Sequence, residues 1–425
     1  MSTTRTPARG MRAVCSSFTG CPHEKAFACV FRKRGECYHP ANPFGINRRL
    51  YGEKAMGYRG MHVVDADAHY LEEIRDFARY LKGPSVERFA DWSGQYHMPA
   101  LVGDQYDVML HGRTVRGAEA GKGDQDEMLG MSSPADIPVV MERFGIDTIV
   151  MIPTYMLMVE FVRNANHAMD ICNGYIDYML DGVCAPEEGI YTLVVAAGRD
   201  PARAAKMIDR VAGNPAVCGV EMLGSAELPL GAEAYNPIYE AAQHHGLPIV
   251  LHANFLGPDL SSFAKFPSFL ESHALDMTWC NQVQLVSMVM EGVPERFPDL
   301  KIVFQESGIT WVAGLMYRLD TEYMRRRAEA PLLRKLPSEY IKDFYFGTQP
   351  MEDMPRKHLK MFFDLLDGEN NFLFASDWPH FDYDEPSAVA DLPFLSDAGR
   401  RKIMGENALG VFRFTEKTVN LEASA

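Results

Sequence analysis

Residues 63–72 read Val-Val-Asp-Ala-Asp-Ala-His-Tyr-Leu-Glu. Val63 and Val64 have the character of a buried parallel strand near its end. Asp67 and His69 then stand two positions apart. In extended backbone, positions i and i+2 project to the same side. The carboxylate and the imidazole therefore converge on one point. Both are good ligands for a hard-to-borderline divalent ion. An Asp-x-His pair arises often by chance, so the stretch acquires meaning only if later strands end in further ligands.

Outward from this stretch the chain alternates between strand and helix. Strands are predicted at 62–67, 147–153, 190–196, 217–222, 247–252, 300–306, 345–347 and 371–377. Helices are predicted at 71–82, 134–145, 159–183, 201–212, 232–245, within 258–298, and at 310–328, 355–367 and 396–412. Residues 83–135, rich in Gly and Asp, are too long for a plain loop and read as an excursion over the first strand. Eight apolar strands alternating with helices imply a parallel sheet covered on both faces. The expected fold class is α/β, a distorted (β/α)8 TIM barrel with an irregular N-terminal arm and loop insertions. An open doubly wound sheet is disfavoured, because no Gly-x-Gly-x-x-Gly and no phosphate loop follows the first strand.

The barrel is expected over 62–415, between an arm at 1–61 and a tail at 416–425. The arm holds Cys15, Cys21, Cys29 and Cys37 with His23 and His39. Their spacing is loose and lacks a Cys-x-x-Cys pair, so an irregular arm packing on the barrel or on another subunit is favoured over a structural zinc site. Cys172, Cys184, Cys218 and Cys280 lie singly in apolar contexts and read as buried thiols. A net charge of −15 across 425 residues argues against nucleic acid as a partner. No run reaches membrane-span length, and the N-terminal segment is polar. The expectation is a cytoplasmic protein with a small-molecule substrate, no nucleic-acid or membrane partner, and a homo- or hetero-oligomeric state.

In a barrel, chemistry collects where strands end. The first strand ends with Asp67 and His69, and the fourth contains Glu221. The fifth ends at His252, the sixth in Gln305-Glu306-Ser307-Gly308, and the eighth in Ser376-Asp377-Trp378-Pro379-His380. His252 alone could be a core histidine. Asp377 follows Phe-Leu-Phe-Ala-Ser, where a carboxylate must be paired, ligated or solvated. Asp67, His69, His252 and Asp377 form a mixed nitrogen and oxygen set that leaves a coordination position open, the catalytic rather than the structural arrangement. Glu306 is expected to be functional. Glu221 reads as ligand or salt-bridged barrel residue, His380 as substrate contact or turn residue, Trp311 as core, and His273 as a plain helix residue.

These segments, with Glu-Arg-Phe-Pro-Asp-Leu-Lys-Ile-Val-Phe-Gln-Glu306-Ser-Gly-Ile-Thr-Trp311 and Ile403-Met-Gly-Glu-Asn-Ala-Leu-Gly-Val-Phe412, resemble the amidohydrolase superfamily. The likeness is to the branch of aminocarboxymuconate-semialdehyde decarboxylase-like and resorcylate decarboxylase-like enzymes. It implies one or two divalent metals at the strand ends, with Asp67, His69, His252 and Asp377 as ligands and Asp377 also as general base. Asp67 stands where many relatives have histidine, and Glu306 where many decarboxylase-like members have a catalytic histidine. With Glu221 and Glu306 added, the metal set becomes oxygen-rich. Zinc is the first expectation, and manganese or iron also suit such a site. Asp377, Glu306 and His380 are the candidate catalytic residues. The expected function is hydrolysis by a metal-activated water or metal-assisted non-oxidative decarboxylation of a small carboxylated or cyclic substrate. The alternatives are a dinuclear Mn/Fe O2-dependent hydroxylase and a supporting subunit beside a catalytic paralogue.

Overall fold

Segments such as Thr-Ile-Val-Met-Ile-Pro and Ile-Tyr-Thr-Leu-Val-Val offer no polar face, so both sides of each strand must be covered. The computed structural model meets this demand with eight parallel strands. They are β1 (Val64–Tyr70), β2 (Thr148–Pro153), β3 (Ile190–Val195), β4 (Val217–Leu223), β5 (Ile249–His252), β6 (Ile302–Gln305), β7 (Tyr345–Gly347) and β8 (Phe372–Leu373). They pair in sequence order in a single sheet. The structure describes residues 57–72, 77–82, 86, 130–254 and 269–420. The four arm cysteines, most of the expected excursion at 83–135, residues 255–268 and the end of the tail lie outside the described residues.

Helices cover the sheet, and local sequence explains their limits. α1 (Asp136–Phe144) stops at Gly145, whose φ of 66° suits glycine. α2 (Ala165–Tyr178) starts where the Asn164 side chain accepts the His167 N–H. α3 (Pro201–Val211) has Asp200 as its cap and Pro201 at its first position, and buries Ala204, Met207, Ile208 and Val211. That spacing places one apolar stripe on the barrel. α4 (Asn236–His244), α5 (Phe269–Met290), α6 (Thr310–Arg326) and α7 (Arg356–Leu366) follow. No helix among the described residues is long and apolar enough to cross a membrane.

Three expectations change. β1 runs on through His69 to Tyr70, beyond the predicted end at 67. Of the helix expected over 71–82, Phe77 is helical and Ala78–Tyr80 form a 3-10 turn, while residues 73–76 lie outside the described residues. The helix expected over 159–183 is broken at Asn164, which adopts an extended conformation and begins a new helix that passes at Met179 into a π turn ending at Val183. The eighth strand is also shorter than 371–377. The Phe374 N–H donates to Ile403 O, the Ser376 N–H is taken by the Asp65 side chain, and Asp377 has a φ of 57°. A regular ladder cannot continue through such backbone.

Closure onto β1 is nevertheless made. The N–H of Ala66 donates to Phe374 O at 2.9 Å, that of Asp377 to Asp67 O at 2.8 Å, and that of His69 to Trp378 O at 2.7 Å. Inside the barrel Gln305 reaches across, its Nε2 donating to Ala66 O at 3.0 Å. Gly347 makes room for it: a Cβ there would lie 1.9 Å from Gln305 Oε1. Gln305 is fully buried, so its side chain has nowhere to retreat. Gly347→Ala is expected to cost about 1–3 kcal/mol, the usual range for an overpacked core, read by chemical denaturation against wild type.

Candidate metal centre

β1 carries Asp65, Asp67 and His69, its register on β2 shifting between Asp65 and Ala68, and all three are fully buried. His69 Nδ1 lies 3.1 Å from Pro153 O and 3.3 Å from Thr154 Oγ1. An Nδ1–H donating to that carbonyl leaves the Nε2 lone pair pointing into the barrel mouth. His252, the last residue of β5, is held in the same way, with Nδ1 2.7 Å from Ala253 O. The two Nε2 atoms are 3.1 Å apart.

Carboxylates surround this pair. Asp67 Oδ1 is 3.3 Å from His69 Nε2 and 3.8 Å from His252 Nε2. Asp377 Oδ1 is 3.1 Å from His69 Nε2 and 2.6 Å from His380 Nδ1. Glu306 Oε2 is 3.0 Å from His252 Nε2. Asp67, His69 and His252 form one group whose donor atoms all lie within 4.8 Å of one another, and His69, Glu306, Asp377 and His380 form a second. The structure thus brings together six of the seven residues singled out from the sequence. Glu221, the seventh, belongs to neither group. It pairs in register with Val250, two residues before His252, and so sits a layer deeper in the barrel. Among the described residues no ion pair involves it and neither carboxylate oxygen has a hydrogen-bond partner, in contrast to the salt-bridged residue that was one expectation.

Two of the site residues hold unusual backbone. Glu306 has a φ of 49° and Asp377 a φ of 57°. Aspartate enters this left-handed region with some frequency, whereas glutamate does so rarely. Such conformations cost of order 1–3 kcal/mol and gather at functional sites. Here they turn both carboxylates inward just after their strands end.

The donor set fits a divalent metal. Besides Glu221, Asp67 Oδ2 and Asp377 Oδ2 are buried and accept no hydrogen bond. Buried carboxylates in this state call for positive charge. The protein's own imidazoles respond to that demand. Burial alone would depress His69, yet its contacts with Asp377 and Asp67 outweigh burial and hold it well above the ordinary imidazole range. His252 is raised in the same way by Glu306 and Asp67. Burial raises Asp67, opposed by both imidazoles. Asp377 falls below its usual range because His380 and His69 overcome burial. Burial pushes Glu221 up to about 8.

Sequence reading overlooked Asp65 and Glu72, although both lie within the opening stretch. Asp65 Oδ1 accepts from the N–H of Asp67 at 3.2 Å and of Ser376 at 2.9 Å, tying Asp67 to the residue before Asp377. Its spacing of two residues from Asp67 in the sequence was the available signal. Of the remaining expectations, Trp311 is half-buried rather than core, with Nε1 donating to Ser307 O at 2.9 Å. His273 stands 3.7 Å from Asp382 and packs on Phe381. Cys172, Cys218 and Cys280 are buried free thiols, and Cys184 is half-buried.

The sequence signature described as Amidohydrolase matches residues 64–414, most of the chain and all of the barrel. The chain belongs to the amidohydrolase family. It is 23% identical over 299 residues to gamma-resorcylate decarboxylase of a Polaromonas species, covering 64% of this chain and 85% of that protein. Among solved structures, 5-carboxyvanillate decarboxylase from Sphingomonas paucimobilis superposes with a TM-score of 0.63 at 20% identity, covering 84% of this chain and 100% of that one. A dihydroxybenzoic acid decarboxylase from Polaromonas, solved with bound manganese and the inhibitor 2-nitroresorcinol, gives 0.61 at 16% identity, covering 83% and 96%. These superpositions place this amidohydrolase among barrels of the same fold.

Near Gly198 and Arg199, Glu160 is a buried acid whose Oε1 accepts the Gly198 N–H. Burial lifts it from 4.5 to about 7. The folded chain therefore keeps a proton that the unfolded chain releases from about pH 4.5 upward, and this contribution to stability disappears as pH rises to 7. The difference amounts to about 3 kcal/mol. Glu160→Gln keeps the acceptor and has no proton to lose. Unfolding free energies at pH 4.5 and pH 8 are expected to show the variant gaining about that much on wild type between the two.

Proposed function

We propose that this amidohydrolase-family protein is a metal-dependent carboxy-lyase that releases CO2, without oxidation, from a small hydroxylated aromatic acid. The observation that carries this reading is the buried convergence of Asp67, His69, His252 and Asp377 at the strand ends. The decarboxylases among its relatives support the reaction class. Asp67, His69, His252 and Asp377 would hold the ion, with Glu306 against His252. Manganese suits a set so rich in carboxylate oxygen, and a manganese-bearing relative supports that choice over zinc. A bound divalent ion supplies Lewis-acid charge for a substrate carboxylate and an adjacent hydroxyl oxygen.

The chain's own groups supply the rest. When the bond from ring carbon to carboxylate breaks, its electron pair stays on the carbon and CO2 departs. A proton must then reach that carbon, and no oxidant or reductant is needed. Asp377 and His380, joined by a 2.6 Å contact, form the pair that holds and delivers it. Glu306 orients His252. Burial of these groups keeps bulk water from competing for the carbon. The dinuclear hydroxylase and supporting-subunit readings draw no support from the relatives. A small-molecule substrate, a cytoplasmic setting and an oligomer complete the proposal.

The test is CO2 release from a panel of ortho-hydroxylated benzoates with the manganese-loaded chain. Asp377→Asn is expected to lower kcat by about 10²–10⁴-fold, the usual weight of a positioned proton carrier, while unfolding at the wild-type temperature. Failure of wild type to release CO2 from any member of the panel would overturn the reading. Chelator treatment is expected to abolish activity, and added Mn2+ to restore it.

A further inference from the structure

We infer that Glu72 is a positioning residue that selects the ring tautomer and orientation of His69. The inference rests on the reading of His69 as a metal ligand. Glu72 follows the end of β1 by two residues and is 1% exposed. Among the described ion pairs, none involves it. A buried carboxyl without a basic partner is costly unless hydrogen bonds satisfy it, and here backbone amides do so. Glu72 Oε2 accepts from the N–H of Thr154 at 2.9 Å, and Oε1 from that of Met156 at 2.6 Å. The Thr154 N–H is shared with Tyr70 O at 3.2 Å.

The loop gripped in this way is the one that holds His69. Pro153 O, on the same peptide as the clamped Thr154 N–H, and Thr154 Oγ1 are the two partners of His69 Nδ1. An unbroken buried path therefore runs from Glu72 through Thr154 N, Thr154 Oγ1 and Pro153 O to Nδ1. On the far side of the ring, Nε2 faces Asp67 and Asp377. A partner that fixes the proton on Nδ1 frees Nε2 to ligate, and removing such partners commonly weakens metal affinity 10–100-fold. A carboxylate suits the task because two converging N–H groups need two acceptor oxygens. Glutamine has one acceptor oxygen and turns an NH2 toward the other donor.

The experiment uses the full chain and Mn2+, with free Mn2+ followed by electron paramagnetic resonance. Glu72→Gln is expected to raise the Mn2+ Kd 10–100-fold. Thr154→Val is expected to raise it several-fold, and Thr154→Ser to restore it. The metal-free protein, labelled with 15N-histidine and observed at a pH high enough to leave His69 neutral, is expected to show the Nδ1–H tautomer in wild type and a mixture in Glu72→Gln. Folded Glu72→Gln with wild-type Mn2+ affinity and an unchanged His69 tautomer would overturn the inference, since a purely structural role would lower thermal stability alone. Should wild type bind no Mn2+, the metal-ligand reading fails, and the tautomer in the metal-free protein still decides the role of Glu72.

Discussion

The hydrogen bonds that join the end of β8 to β1 are the contacts on which the site depends. The Asp377 N–H donates to Asp67 O and the His69 N–H to Trp378 O. They close the barrel and, in the same few atoms, bring the last carboxylate against Asp67 and His69. Parallel strands with consecutive order would leave Asp377 and Asp67 at opposite edges of an open sheet. Closure turns residues 67 and 377, 310 positions apart in the chain, into neighbours. Asp65 strengthens the seam by accepting N–H groups from both sides.

Closure also creates an electrostatic problem. Asp67, Glu306 and Asp377 end up buried within one barrel mouth, with Glu221 buried a layer below them. Coulomb repulsion among them is large where water is excluded. Raised imidazoles offset part of it. A divalent ion would offset more with less dependence on pH, and the left-handed backbone of Glu306 and Asp377 aims both carboxylates at the place where it would sit. The cost of that backbone conformation is reasonable if it is repaid in ligand geometry.

Much of this was legible in the sequence because barrels concentrate chemistry at strand ends. Period-two alternation placed Asp67 and His69 together, and apolar runs ending in polar residues located His252, Glu306 and Asp377. The shortened β8 was not legible, since nothing in Phe-Leu-Phe-Ala-Ser announces that its amides will be taken by Ile403 O and the Asp65 side chain. The depth of Glu221 depends on strand register, which pattern alone does not fix. Glu72 escaped notice because its partners are backbone amides 82 and 84 residues away. Such a carboxylate has no sequence partner to mark it.

Whether these strand ends form a metal site is tested most directly by metal quantification of the purified chain beside its Asp67→Ala and His252→Ala variants, with folding checked on the same samples. The expected result is a tightly held divalent ion in wild type, lost from both folded variants. A wild-type chain that retains no divalent ion after loading with Mn2+ or Zn2+, or variants that hold it as tightly as wild type, would contradict the metal centre described above.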